Sequence, residues 1–300
     1  MSLPIWTGAL EQGLLWGAMI LGVYLTFRIL NFPDLTVDGS FTLGAAVAAR
    51  LILGGSDPWL ATMAAVLAGA TAGLVTGLLH TQLKIDPLLS GILAMIALYS
   101  VNLRIMGTAN LSLLRVDTIF TSISDFTGLS DSALALGGAV SLLVVVGLYF
   151  FLQTEVGLGV RATGDNPQMI RSLGVNTNTT KIIGLALSNA LVAVSGSLVG
   201  QYQSFADVGM GIGMIVVGLA SVIIGEVLVR TPTIIRALVA ALVGSIIYRV
   251  VIAGVLQLGM PATDLKLLTA AIVTVALAFP VFRARFRKFP VSRERSGQSA

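Results

Sequence analysis

The chain has 300 residues, 56% of them hydrophobic, and a mean hydropathy of +0.94. Only 11% are charged, against roughly 25% in a soluble domain, and no soluble core of this length hides so much apolar surface. The net charge of +4 excludes little by itself, but the basic residues cluster at the ends of apolar runs, where they report membrane topology and not a nucleic-acid surface.

A spanning helix needs roughly 20 mostly apolar residues. The runs here are continuous and rich in Leu, Ala, Val, Ile and Gly, without the alternation of a transmembrane barrel. The expected fold class is therefore all-α, a polytopic helical membrane protein with about nine transmembrane segments (roughly eight to ten). The first covers residues 8–30; Met1 to Phe27 holds Glu11 but no Lys or Arg, so a retained helix is expected and not a cleaved signal. The second, 38–53, is short and polar at its start. The third is 59–79 and the fourth 88–106, followed by a polar stretch, 107–132. The fifth is 133–152, and a hydrophilic loop fills 153–180. The remaining four are 182–201, 213–229, 234–255 and 265–282. Residues 1–282 thus form a single membrane domain, and 283–300 a basic tail.

With the C-terminus inside and strict alternation, 13 of the 18 basic residues fall on the inner side, Arg28, Lys84, Arg171 and Lys181 among them. That bias favours N-out, C-in. Gly69, Gly73 and Gly77 recur at four-residue spacing and predict a helix-packing stripe.

Chemistry is sparse. There is no cysteine and one histidine, His80, so disulfides, thiolate metal sites and histidine clusters are excluded; no metal or cofactor is expected. No phosphate-binding G-x-x-x-x-G-K-[ST] loop is present, and no nucleophile–base pair argues for an enzyme. Paired intramembrane carboxylates for a proton relay are also missing. The sequence reads as a pathway without its own energy source.

The loop at 154–180 is the most informative stretch. Pro167 suits the first turn of a helix capped by Asn166 or Asp165, and Gly174 suits its stop. Between them Met169, Ile170 and Leu173 are apolar; Met169 and Leu173 share a face while Arg171 points elsewhere. So short a helix is marginal alone. It either docks into a partner's groove or rests on lipid headgroups.

Polar residues at membrane depth are the pathway candidates. From Pro33 to Thr42 they alternate: Asp34, Thr36, Asp38, Ser40 and Thr42. Irregular polar backbone is tolerated there if it lines a cavity; the alternative is an inner loop with Asp38 capping the second helix. Tyr99, Ser100, Asn102 and Arg104 form a second group, in which Arg104 lies close enough to the outside to snorkel, and Ser188, Asn189 and Ser195 a third; Asn102 and the third group either bond a neighbouring helix or face the path. Glu226 and Arg230 have the spacing of an i, i+4 ion pair. Phe32-Pro-Asp34-Leu and Phe205-Ala-Asp207-Val make a faint inverted echo.

The loop G157-L-G-V-R-A-T-G-D-N-P-x-M-I-R-S-L-G-V-N176 resembles the cytoplasmic coupling loop of ABC importer permeases of the branched-chain amino acid and ribose/nucleoside superfamily. The stretches N31-F-P-D-L-T-V-D-G-S-F-T-L-G-A-A-V46 and G91-I-L-A-M-I-A-L-Y-S-V-N-L-R-I-M-G107 resemble permeases of tryptophan/tyrosine-type uptake systems. The resemblance implies a membrane dimer, with itself or a paralogue, two cytoplasmic ATPase subunits and an extracytoplasmic substrate-binding protein. It implies that Asp165, Asn166, Pro167, Met169, Ile170, Arg171, Leu173 and Gly174 meet the ATPase. Asp38, Ser40, Thr42, Ser100, Asn102 and Asn189 are then the candidate translocation path for a small solute, an aromatic amino acid by resemblance. The rival class is an ion-coupled secondary transporter, for which Asp38 is the one plausible seed.

Overall fold

A computed structural model describes residues 3–127, 132–229, 231–258, Asp264, 267–275 and Ala278. Helix α1 (Leu3–Tyr24) runs into a π-helical turn, Leu25–Ile29, and α2 follows at Thr36–Leu53. Helices α3 (Pro58–Thr81) and α4 (Pro87–Met106) start with the same device. An aspartate, Asp57 or Asp86, accepts the first free amides, and a proline occupies the first turn, where no amide partner is needed. A short strand β1 (Asn110–Ser112) and helix α5 (Ile119–Thr127) lie within the polar stretch. Next come α6 (Ser132–Gln153), α7 (Glu155–Asp165), α8 (Pro167–Ser172) and the long α9 (Thr177–Gln203). Strand β2 (Phe205–Asp207) pairs antiparallel with β1, Leu111 opposite Ala206, and α10 (Met214–Leu228) and α11 (Ile234–Gln257) follow.

Seven described helices are long and apolar enough to cross a membrane. The predicted segment at 213–229 is real, but α10 has 15 residues, about 22 Å of helix, short of a hydrocarbon core of about 30 Å. The expected ninth segment lies partly outside the described residues; of it, 267–275 is helical. The tail at 283–300 and Arg230 also lie outside them.

Two departures from the sequence reading have physical causes. Residues 155–165 form a helix, not loop. Their glycines depress helix propensity but permit contact: a methyl on Gly164 would strike the carbonyl of Ile29, and one on Gly157 the carbonyl of Phe151. Packing overrides propensity. Helix α2 begins at Thr36, so Asp38 sits inside its first turn and does not cap it.

The bundle is organised around α1 and α9, which pack antiparallel to each other: Ser188 Oγ donates to the Gly22 carbonyl and Ser195 Oγ to that of Leu15. Helix α9 packs on α2 and α3, while α1 packs on α10 and α11. The stripe Gly69, Gly73 and Gly77 lies against Asn189, Leu185 and Ile182 of α9, the close approach expected of small residues where lipid supplies no hydrophobic drive. The main apolar core gathers Leu15, Met19, Leu21, Phe41, Leu185 and Leu198.

Candidate functional site

The polar residues of α2 divide into two groups. Asp34, just before the helix, accepts from the Thr36 amide at 2.9 Å and from Asn189 Nδ2 at 2.8 Å. Asn189 Oδ1 in turn accepts from Ser40 Oγ at 2.7 Å, and Thr36 and Thr76 hydroxyls meet at 2.8 Å. All are fully buried. Ser40 and Asn189 therefore belong to a satisfied knot joining α2 to α9, with their polar groups paired as buried ones must be if they are not to cost stability.

Asp38 faces the other way. Its Oδ2 accepts from the Gly213 amide at 2.8 Å and its Oδ1 from Ile215 at 2.9 Å. It caps α10 from another helix. Gly213 has no side chain to cap with, and its φ of 86° is one that glycine adopts freely. Thr42 Oγ1 accepts from the Gly211 amide at 3.0 Å, and Gly211 rests against the Asp38 carbonyl with no room for a methyl. The chain after β2 is thus pinned onto the first turns of α2.

Beside this junction lies a cavity of about 450 Å³. Asp38, Thr42, Ser100 and Asn102 line it, with Met95, Ile96, Tyr99 and Ile212 as an apolar and aromatic wall. The structure so brings together four of the six pathway candidates. Asn102 donates from Nδ2 to the Gly39 carbonyl at 3.1 Å, while its buried Oδ1 has no partner. Helix α4 packs on α2 through Gly91, Leu98 and Asn102 and leaves Leu93, Ile96, Tyr99 and Val101 exposed.

At the opposite end of α9, α8 has the predicted form. Asn166 Oδ1 accepts from Gln168 and Met169 amides at 3.2 and 3.0 Å, Pro167 fills the first turn, and Gly174 follows at φ 88°. Asp165 ends α7 and is exposed. Ile170 is buried, whereas Met169 and Leu173 are 57% and 68% exposed. Arg171 Nε donates to Thr177 Oγ1 at 2.6 Å. Helix α7 is tied to α9 by the Thr163 and Thr180 hydroxyls at 2.7 Å.

Sequence reasoning missed how this end reaches α10. Glu226 pairs with Arg28 of the π-helical turn, 198 positions away, a separation that leaves no local signal. Arg249 lies over the Trp16 ring with Nε and Nη2 unpartnered. Among the described residues no three His, Cys, Asp or Glu side chains gather as a metal site.

Comparison with known proteins accounts for this architecture. Residues 6–278 match the family described as branched-chain amino acid transport system / permease component. A tyrosine transport system permease protein of Clostridioides difficile (strain R20291) is 47% identical over 269 residues, covering 90% of this chain and 89% of that protein. The ribose import permease protein RbsC of Escherichia coli (strain K12) is 25% identical over 264 residues, 86% of this chain and 80% of its own. The solved PsaBC from Streptococcus pneumoniae in complex with Fab superposes with a TM-score of 0.54 over 89% of each chain, and at 11% identity the likeness speaks for the fold alone. The chain belongs to the permease-component family of branched-chain amino acid transport systems, multi-pass membrane subunits of ABC-type transporters that are not themselves enzymes.

Proposed function

We propose that this permease imports an aromatic amino acid as a dimer, with its N-terminus outside and α7 and α8 in the cytoplasm, driven by two ATPase subunits and supplied by an extracytoplasmic binding protein. The observation that carries the substrate reading is the cavity beside Asp38. An apolar wall with Tyr99 suits a ring, and the Thr42, Ser100 and Asn102 residues that share the lining suit the polar end of an amino acid. The tyrosine transport permease at 47% identity supports the same class, and the ribose import relative supports the inward direction. The exposed face of α4 supports a second copy packing beside the cavity, with the path running between protomers.

The exposed Met169 and Leu173 are the contacts offered to the ATPase, with Asp165, Asn166, Pro167, Ile170, Arg171 and Gly174 fixing their presentation. A push on α8 passes to α7, whose Gly164 bears on Ile29, and from neighbouring Arg28 to Glu226 near the end of α10. The other end of α10 is held by Asp38 at the cavity. A rod of about 22 Å so links the coupling end to the path, and ATP binding supplies the free-energy difference between its two positions. Asp38 spends both oxygens on α10, which argues against an ion-coupling role.

The test is uptake by proteoliposomes holding the permease, its ATPase and its binding protein. Labelled tyrosine or tryptophan accumulates with ATP inside the lumen that bears the ATPase, and uncouplers leave it intact. Uptake that follows a proton gradient without ATP refutes the importer; uptake of aliphatic amino acids in preference refutes the substrate.

A further inference from the structure

A second cavity, of about 550 Å³, opens where α3, α8 and α9 meet. Three cations from three elements line it: Lys84 from the α3–α4 turn, Arg171 from α8 and Lys181 from α9. No carboxylate does. Asp86, two residues beyond Lys84, accepts from the Leu88 amide as the cap of α4 and is not among the lining residues.

Two of the cations are held in place by neutral groups. His80 Nδ1 lies 2.8 Å from the Ile85 carbonyl and its Nε2 lies 2.9 Å from Lys181 Nζ. A carbonyl only accepts and an ammonium only donates, so the ring carries its proton on Nδ1 and accepts from Lys181 at Nε2. Arg171 uses Nε on Thr177, which leaves the two terminal nitrogens of its fork. Among the described residues neither those nitrogens nor the Lys84 ammonium has a protein partner. The first amides of α9 are taken by Asn176, so recognition here falls to the side chains.

Three like charges around one cavity repel unless an anion sits between them. A guanidinium fork and two ammonium groups approaching from different sides match a tetrahedral oxyanion better than a planar carboxylate. We propose that this cavity binds a phosphate group and clamps the foot of α8 to the α3–α4 turn. The group comes either from an anionic phospholipid, whose chains would follow the exposed Leu78 and Leu83 beside the cavity, or from free phosphate. The inference stands apart from the substrate and direction proposed above.

The full-length chain in detergent is examined by native mass spectrometry with phosphatidylglycerol or phosphatidylcholine, and by calorimetric titration with inorganic phosphate. The double variant Lys84→Gln/Lys181→Gln is compared with Lys84→Arg/Lys181→Arg and with Arg50→Gln/Arg104→Gln, whose residues lie at the far ends of α2 and α4. Removing two charges is expected to weaken phosphatidylglycerol retention by about thirtyfold, while the arginine and far-end variants keep it. Saturable phosphate binding with the same mutational pattern, without lipid preference, supports the site and assigns it to the free anion. Wild-type levels of both ligands in the folded, monodisperse glutamine variant overturn the proposal. So does a wild type that binds neither probe yet needs both lysines to hold its ATPase, which would give the cavity to an acidic partner.

Discussion

Replacing Asp38 separates a structural cap from an ion-coupling carboxylate. Asp38→Ala removes two hydrogen bonds from a charged acceptor, each contributing about 1.5–3 kcal/mol, and leaves the Gly213 and Ile215 amides without partners. Asp38 is half-buried, so the lower end applies and the loss is about 3–4 kcal/mol. Asp38→Asn keeps one oxygen for one amide but loses the charge, at a cost of about 2 kcal/mol. A kcal/mol is worth about 2–4 °C in a chain of this order of size. Asp38→Ala should therefore lower the Tm in detergent by about 6–16 °C and Asp38→Asn by about 4–8 °C. Uptake should fall in the same order and stay ATP-dependent. Two equally stable variants would refute the cap. Transport that becomes independent of a proton gradient on mutation would refute the importer reading as well.

Met169→Asp or Leu173→Asp should abolish uptake while membrane insertion and Tm stay close to wild type, because both side chains are exposed; unchanged uptake would remove α8 from coupling. Gly196→Ala places a methyl on the Phe41 carbonyl and should cost about 1–3 kcal/mol or more by overpacking, whereas Gly147→Ala, with open space around it, should be neutral; thermal unfolding distinguishes them. Breaking the Arg28–Glu226 pair should cost no more than about 1 kcal/mol in a double-mutant cycle, since the Arg28 side chain is 52% exposed. Either single variant should nonetheless slow ATP-driven uptake, and Arg28→Glu/Glu226→Arg should restore it; equal loss in the swapped variant would break the proposed link to α10.

What the sequence made legible was local. Asp-Pro before an apolar run marks the starts of α3 and α4, and Asn166-Pro167 with Gly174 frames α8 within a residue or two. What it hid was tertiary. Helix α7 is poor in helix formers because its glycines serve contacts with Ile29 and Phe151. Asp38 read either as a cavity-lining residue or as a cap for its own helix, whereas the amides it caps lie 175 and 177 positions away. Ser40 and Asn189 read like Thr42 and Asn102, and only the pairing of Ser40 with Asn189 separates a closed knot from a cavity wall. Lys84, Arg171 and Lys181 were visible as topology signals, but their meeting in one cavity was not.

The faint echo between Phe32-Pro-Asp34 and Phe205-Ala-Asp207 has a structural counterpart. Asp34 accepts from the amide two residues on, and Asp207 does the same with Gly209 at 2.8 Å. The helices around them exchange partners in a matching way: α9 packs on α2 and α3, and α1 on α10 and α11. Because α1 and α9 run antiparallel, the two triads relate as an inverted pair. Such an arrangement brings the N-termini of α2 and α10 together, each a positive dipole end whose first amides lean on an aspartate, Thr36 on Asp34 and Gly213 and Ile215 on Asp38. The copies are unequal where it matters. The first turns of α2 carry the carboxylate, and α10 begins at a glycine with none. One aspartate, Asp38, therefore serves the junction with α10. Helix α10 is thus the shorter partner, with 15 residues, a cap borrowed from α2 and the Arg28–Glu226 pair near its far end, and the coupling proposed through α10 draws on that asymmetry.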